Sequence, residues 1–188
     1  MAAVRRVQLT SRRPRTWVVV AGVVAVLAVA AAATVFKLFV FPTATPVDRP
    51  QAVVVLGGLD GTSRLQRAVE VVQDNPGSVL MLSLPGAGQQ CPEFLARAVQ
   101  QHLCFVPDPA STQGEARAAT EYARTQGWTT IDVVVTADQV LRARDRFDRC
   151  WDGQLGMVEA PTDRRAVVKM IPYQLAATLK SLVVTPGC

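Results

Sequence analysis

The chain has 188 residues, with 20 Lys and Arg against 15 Asp and Glu and a formal net charge of +5. Five of the arginines fall in the first sixteen residues, where no acid occurs, namely Arg5, Arg6, Arg12, Arg13 and Arg15. The remainder therefore carries 15 basic and 15 acidic residues, which argues against a nucleic-acid-binding domain with its own basic patch.

A long uncharged stretch follows the arginines. No charge occurs at 17–36, and after Lys37 the chain is apolar again up to Phe41. About twenty apolar residues in a helix cross the hydrocarbon core of a bilayer, and arginines mark the cytoplasmic side. We therefore predict a single-pass plasma-membrane protein. Its basic cytoplasmic tail at 1–16 would contact anionic membrane lipid, its transmembrane anchor would lie at 17–41, and the rest would be extracytoplasmic.

A cleaved signal peptide is the alternative to an anchor. The alanines between 28 and 33 are small residues of the kind found at cleavage sites. However, the apolar region of a signal peptide is normally about 7–15 residues long, which is shorter than the stretch found here. Ser11-Arg12-Arg13 is also similar to a twin-arginine signal, but the stretch that follows is strongly hydrophobic. We retain the uncleaved anchor as the prediction.

A linker and one folded domain follow the anchor. Residues 42–50 contain three prolines and predict a short, stiff linker. The domain at 51–188 is long enough for one hydrophobic core. We predict strands at 52–56, 79–83, 103–106, 131–135 and 157–160, and helices at 64–73, 92–102, 112–125, 138–151 and 165–182. This alternation predicts an α/β fold with a parallel sheet covered by helices on both faces.

Several of these helices carry apolar stripes of helical spacing, including those at 92–102 and 165–182. In the helix at 92–102, the residues predicted to face inward are Phe94, Leu95, Ala98 and Val99. The last helix, at 165–182, has on one face Val168, Ile171, Leu175, Leu179 and Leu182. Pro172 is expected to kink this last helix.

Four cysteines occur in the part of the chain predicted to lie outside, namely Cys91, Cys104, Cys150 and Cys188. An even number of cysteines in an oxidising compartment indicates disulfides. Of the three pairings that four cysteines allow, we predict Cys91–Cys104 and Cys150–Cys188. A zinc site is the alternative, but the sequence has no C-x-x-C spacing. No metal site and no cofactor are predicted.

Polar residues follow several of the predicted strands, at the edge where parallel α/β sheets bind ligands. They are Gly57-Gly58, Ser83 and Thr136. Backbone amides of a glycine pair can approach an anion closely, and Arg64 at the start of the next helix can reach the same anion. The alternatives are a tight turn that requires positive φ at the glycines and a solvated arginine.

The segment Ser111-Thr112-Gln113-Gly114-Glu115 predicts a helix start. We expect a capping box in which Thr112 is the N-cap and Glu115 is the N3 residue. In the functional alternative, Thr112 and Glu115 line the same cleft as Thr136. The single histidine, His102, is interpreted as a surface or packing residue, because the sequence has no catalytic motif that would use it.

Taken together, the motifs VVVLGG at 53–58, Arg64, STQGEARA at 111–118 and VVVT–RAR across 133–144 make the domain similar to the YdcF-like family. This family of domains of unknown function includes the envelope proteins SanA and ElyC. The resemblance covers 51–188 and implies a three-layer α/β/α Rossmann-like fold. It also implies a site formed by Gly57, Gly58, Arg64, Ser111, Thr112, Glu115, Thr136 and Arg142.

The chain departs from the family pattern at one position of the site. Gln139 stands opposite the family's histidine, and Ala137 replaces the usual serine. Glutamine forms hydrogen bonds but is no base near neutral pH, which leaves Glu115 as the candidate catalytic base. The resemblance implies a role in cell-envelope or peptidoglycan-precursor homeostasis, with an anionic, lipid-linked or phosphate-bearing ligand. The alternative is a non-catalytic binding or scaffold domain with a degenerate site.

Overall fold

The computed structural model describes residues 15–57, 62–184 and 187–188. Two compact units make up the chain, and the boundary between them lies between Val35 and Phe36. The second unit, Phe36–Cys188, contains the sheet and all of the predicted site residues. The sequence-predicted Gly58 lies outside the described residues.

The first helix, α1, spans Arg15–Val40. Its segment Thr16–Val40 has a mean hydropathy of 2.7 over its most apolar window. At about 1.5 Å per residue, this segment is longer than the roughly 30 Å hydrocarbon core of a bilayer. Within the part of the chain that the structure describes, it is the one helix with the length and composition of a membrane span.

The sheet of the second unit has five parallel strands in the order β3-β2-β1-β4-β5. The strands are β1 (Ala52–Val55), β2 (Val79–Ser83), β3 (His102–Phe105), β4 (Thr130–Val135) and β5 (Gln154–Glu159). Every strand predicted from the sequence is present, and the α/β prediction is confirmed. The order reverses between β1 and β4, because β2 and β3 are added on one side of β1 and β4 and β5 on the other.

Helices cover both faces of the sheet because alternate strand residues point to opposite faces. The helices are α2 (Thr62–Asp74), α3 (Leu95–Ala98), α4 (Thr112–Thr125), α5 (Val140–Cys150) and α6 (Arg164–Val183), and a 3-10 turn spans Ala137–Gln139. Ala52 and Val54 pack with residues of α4 and α5. Val53 and Val55 pack with residues of α2 and α3. The result is three layers with the sheet in the middle, where β1 is fully buried and the edge strand β3 is partly buried.

The helix predicted at 92–102 is wrong in length, because α3 has only one turn. Leu95 is fully buried, but Phe94 is 50% exposed. Val99 is already extended, with φ −137° and ψ 151°, since the chain must enter β3 at His102. The disulfide between Cys91 and Cys104 also fixes the segment before α3 to that strand. The helix therefore ends early, although the apolar residues continue at helical spacing, because the chain has only a few residues in which to reach β3.

Helix α6 packs on the domain through a largely polar stripe. Its buried residues are Val167, Gln174 and Ser181. The apolar stripe that normally faces a core is largely exposed, at Val168, Leu175, Leu179 and Leu182, with only Ile171 partly buried against Val40 and Val167.

Hydrogen bonds explain which side of α6 is docked. The amide of Gln174 donates to the Asp138 carboxylate at 2.7 Å. The Ser181 hydroxyl donates to the Asp145 carboxylate at 3.1 Å, and the Arg149 guanidinium donates to the Ser181 carbonyl at 3.2 Å. These contacts fix the rotation of α6 about its own axis.

Residues 42–50, predicted as a linker, lie against the sheet. The carbonyl of Thr45 accepts from the Met157 amide at 2.9 Å. The amide of Val47 donates to the Asp132 carboxylate, also at 2.9 Å. The segment is therefore part of the globular unit rather than a free spacer.

Both predicted disulfides are confirmed. The Cα atoms of Cys91 and Cys104 are 5.6 Å apart, and those of Cys150 and Cys188 are 4.9 Å apart. The first pair joins the loop before α3 to β3. The second ties the end of the chain to α5.

Candidate functional site

A cleft of about 640 Å³ lies at the carboxyl ends of the strands, near the point where the strand order reverses. This is where parallel α/β sheets bind ligands, because the loops on the two sides of the reversal diverge. Among the residues named from the sequence, those that line the cleft are Gly57, Ser83, Ser111, Thr112, Glu115, Gln139 and Arg142. Residues far apart in the sequence are thus brought together in one cleft.

The start of α4 forms one wall of the cleft. Ser111 is its N-cap, and the Ser111 hydroxyl accepts from the Gly114 amide at 3.3 Å. The predicted capping box is therefore wrong by one residue: Gly114 is N3, Glu115 is N4, and Thr112 is the first helical residue. The first turn of the helix lies close to the preceding loop. A Cβ on Gly114 would clash with the Pro109 carbonyl, so glycine permits this close approach.

Glu115 is released from capping and bonds across the cleft instead. Its carboxylate accepts from the Gly57 amide at 2.7 Å, and the residue is only 6% exposed. This contact joins the end of β1 to the start of α4. The Gly57 amide that the sequence assigns to an anion thus already donates to a protein carboxylate, so the positive side chains must supply most of the attraction for an anionic ligand.

Arg64 supports the loop after β1 from below the cleft. One of its terminal nitrogens donates to the Gly57 carbonyl at 3.2 Å and the other to Gln139 Oε1 at 3.3 Å. Gly57 has φ +78°, and a Cβ there would lie 2.7 Å from Arg64 Nη1. Only glycine fits both the conformation and the arginine. Arg64 does not line the cleft, and it acts by positioning Gly57 and Gln139.

Gln139 lines the cleft. It ends the 3-10 turn after β4, where its own amide donates to the Thr136 carbonyl at 2.9 Å. Thr136 is half-buried and contributes this carbonyl to the turn rather than a side chain to the cleft wall. Thr136 is not among the residues that line the cleft, so the structure does not support its predicted role in ligand binding.

Three positive side chains line the opposite wall: Arg142 and Arg146 on α5 and Lys180 on α6. Arg142 and Arg146 are four residues apart and therefore neighbours on one helix face. The Arg142 guanidinium lies 5.9 Å from the centre of the Tyr173 ring, which also lines the cleft. Burial lowers the pKa of Arg146, and the nearby positive charges of Arg149 and Arg142 lower it further, against the opposite effect of Asp145. This wall is thus electropositive.

Sequence reasoning missed Arg146, Tyr173 and Lys180. The four-residue spacing from Arg142 was a signal for Arg146. No comparable signal existed for Tyr173 and Lys180, because their place in the cleft depends on how α6 packs. Arg146 also donates to the Gly187 carbonyl at 3.4 Å, so the end of the chain borders the same wall.

No protein-family model and no curated protein matches the chain. The YdcF-like resemblance therefore remains an interpretation of the sequence motifs.

Proposed function

We propose that this protein is a membrane-anchored binding protein whose extracytoplasmic domain holds a phosphate-bearing anionic ligand in the cleft. One observation carries the proposal. The cleft is lined by three cationic side chains, Arg142, Arg146 and Lys180, while its acid, Glu115, accepts from the Gly57 amide. Burial, and after it the positive charges of Arg149 and Arg142, lower the pKa of Arg146, and an anion in the cleft would oppose this, since an opposite charge favours the protonated form.

The location of the domain rests on three features. Helix α1 has the length and hydropathy of a span, four arginines precede it and a fifth, Arg15, is its first residue, and the domain contains two disulfides. Arginines are retained on the cytoplasmic side, and disulfides persist in oxidising compartments. The similarity to YdcF-like envelope proteins adds a role in cell-envelope or peptidoglycan-precursor homeostasis.

Turnover of the bound ligand is left open by this proposal, and Gln139 favours the version in which the domain binds the ligand without turnover. A glutamine cannot exchange a proton near neutral pH, and its Oε1 atom is held by Arg64. In a catalytic version, Glu115 would be the base. The proton would then go to a carboxylate whose Oε1 already accepts from the Gly57 amide.

The binding proposal is tested by calorimetric titration of the full-length protein in nanodiscs with inorganic diphosphate. We expect Arg142→Ala to weaken binding by about tenfold to a hundredfold, because a hydrogen bond to a charged group contributes about 1.5–3 kcal/mol. Arg144→Ala is the matched control, since Arg144 is on the same helix but not in the cleft lining. Equal losses in the two variants would point to a general charge effect and contradict a specific site.

Turnover and topology need separate tests. Release of phosphate from a diphosphate ester by Gln139→His, and not by the wild-type protein, would support a degenerate site. Release by the wild-type protein would support catalysis.

For topology, a membrane-impermeant thiol reagent is added to intact cells after reduction. Labelling of Cys188 is expected, whereas labelling only in permeabilised cells would contradict an extracytoplasmic domain.

A further inference from the structure

Helix α6 exposes an apolar surface that the domain does not cover. We call it the outer face of α6 and define it by Val168, Leu175, Leu179, Leu182 and Val183. These residues are between 36% and 79% exposed, with Leu179 at 63% and Val183 at 79%. At about 3.6 residues per turn they lie on one side of the helix and extend over most of its length. An exposed apolar surface of this kind normally marks an interaction site.

The outer face cannot be buried by a simple rotation of α6. Its opposite side is held by the Gln174 amide on Asp138 at 2.7 Å and by the Ser181 hydroxyl on Asp145 at 3.1 Å. Rotation would break these bonds and take the Gln174 donor away from the buried Asp138 carboxylate, which is costly. The apolar side must therefore be covered from outside the domain.

The surroundings of α6 indicate what covers it. The helix begins beside the end of α1, where the Arg164 guanidinium donates to the Val40 carbonyl and lies 5.3 Å from the centre of the Phe41 ring. Val40 also packs with Val167 and Ala137. The start of α6 thus contacts the residues at which the chain leaves the proposed membrane span.

The charges of α6 match a lipid surface. The sequence of Arg164–Val183 contains no acidic residue and four basic ones. Arg164 pairs with Glu159 at 2.8 Å, and the exposed side chains of Arg165, Lys169 and Lys180 remain beside the outer face. An apolar side bordered by basic residues is the composition of helices that lie in the membrane interface.

We propose that α6 lies in the membrane–water interface, with its outer face among the acyl chains of the leaflet on the side of the domain. This inference rests on the proposed membrane anchoring of α1. It assigns α6 two contacts at once, because its polar side holds the domain and its apolar side holds the lipid. It also brings Lys180, on the rim of the cleft, to the level of the lipid headgroups, where a lipid-linked ligand would present its phosphate.

The test uses the full-length protein in nanodiscs of brominated phospholipid, with one chain per disc. Single cysteines are introduced by Leu179→Cys and, as a second position, Val183→Cys, and are labelled with a fluorescent maleimide. All native cysteines are in disulfides, so the label reacts with the introduced thiol. Glu121→Cys on the exposed side of α4 is the solvent control, and Val26→Cys in α1 is the span control.

Bromine quenches a fluorophore only at short range, so we expect loss of emission at positions 179, 183 and 26 and none at 121. Unquenched labels at 179 and 183 beside a quenched label at 26 would overturn the inference and leave the anchor intact. An unquenched label at 26 would remove the anchoring on which the inference rests. A second sample with several chains per disc tests for contact between copies. If the label at 179 is unquenched in both samples but is shielded from water only in the second, the outer face binds a second copy and the inference is overturned.

Discussion

Helices α5 and α6 both carry an apolar stripe, but they turn it in opposite directions. In α5 the stripe faces the sheet, and Val140, Ala143 and Phe147 are buried. In α6 the buried stripe contains Gln174 and Ser181, while Leu179 is 63% exposed. Periodicity shows which side of a helix is apolar, but contacts with the rest of the fold decide which side is docked. A helix can therefore be fastened by hydrogen bonds and keep its apolar side for another partner.

The largest difference between the two helices is expected from removal of an apolar side chain. Phe147 is fully buried, so Phe147→Ala should lower the free energy of unfolding by about 3–5 kcal/mol. Leu179→Ala should change it by less than about 0.5 kcal/mol, as at other surface sites. Denaturant unfolding in detergent, followed by near-ultraviolet circular dichroism, measures both. Similar losses in the two variants would mean that α6 packs with its apolar side inward.

A second large loss of stability is expected when the disulfide that links the end of α5 to Cys188 is removed. Cys150 and Cys188 are 38 residues apart, and a cross-link over that distance is worth about 4 kcal/mol in the chain-entropy description. We expect the double variant Cys150→Ser/Cys188→Ser to lose about this much on denaturant unfolding. Cys91→Ser/Cys104→Ser, which opens a separation of 13 residues, should lose about 3 kcal/mol. A reversed order would show that strain or local packing, rather than chain entropy, dominates.

The polar docking of α6 gives an intermediate effect. Gln174→Ala removes the donor to the buried Asp138 carboxylate, which should cost about 1.5–3 kcal/mol. A double-mutant cycle with Asp138→Asn isolates the interaction, measured as the free energy of unfolding of the four proteins. Additive effects would contradict the assignment of this bond as the main fastening of α6.

Asp132 makes a contribution to stability that depends on pH and is largest in acid. Burial raises the pKa of Asp132 above its ordinary value of 3.8, and the hydrogen bond from the Val47 amide opposes the rise. The folded state therefore binds a proton at Asp132 more readily than the unfolded chain does. This contribution to stability is fully present below the ordinary pKa and is lost as the pH rises through the raised folded-state pKa.

Asp132→Asn keeps a neutral acceptor at this position, so its stability relative to the wild type should increase as the pH rises from the ordinary pKa of 3.8 through the raised folded-state pKa. Unfolding free energies of both proteins over this range measure the change. A constant difference would show that the Asp132 carboxylate is not disfavoured in the folded state. Asp132 holds residues 42–50, whereas Asp138 and Asp145 hold α6. The pH dependence of Asp132→Asn therefore reports on the contact of residues 42–50 and not on that of α6.

The strands and the edge of the sheet at which the cleft lies follow from patterns that sequence reasoning can detect. A strand that is buried on both faces appears as a continuous apolar run, as at Val53, Val54 and Val55. Helix α4 has the predicted bounds, but its N-cap is Ser111 rather than Thr112, because neighbouring hydroxyl side chains can both cap a helix. The cleft wall formed by Tyr173 and Lys180 was not predictable, since it depends on the hydrogen bonds that orient α6.

The contacts of residues 42–50 also bear on where the chain can be shortened. Strand β5 is at the edge of the sheet, and the Thr45 carbonyl accepts from the outward Met157 amide of that strand. Exposed strand edges pair with other chains and promote aggregation. A soluble form that starts at Gln51, the boundary that composition indicates, would uncover this edge and deprive Asp132 of the Val47 amide. A form that starts at Pro42 keeps both contacts and should remain monomeric at concentrations at which the shorter form aggregates.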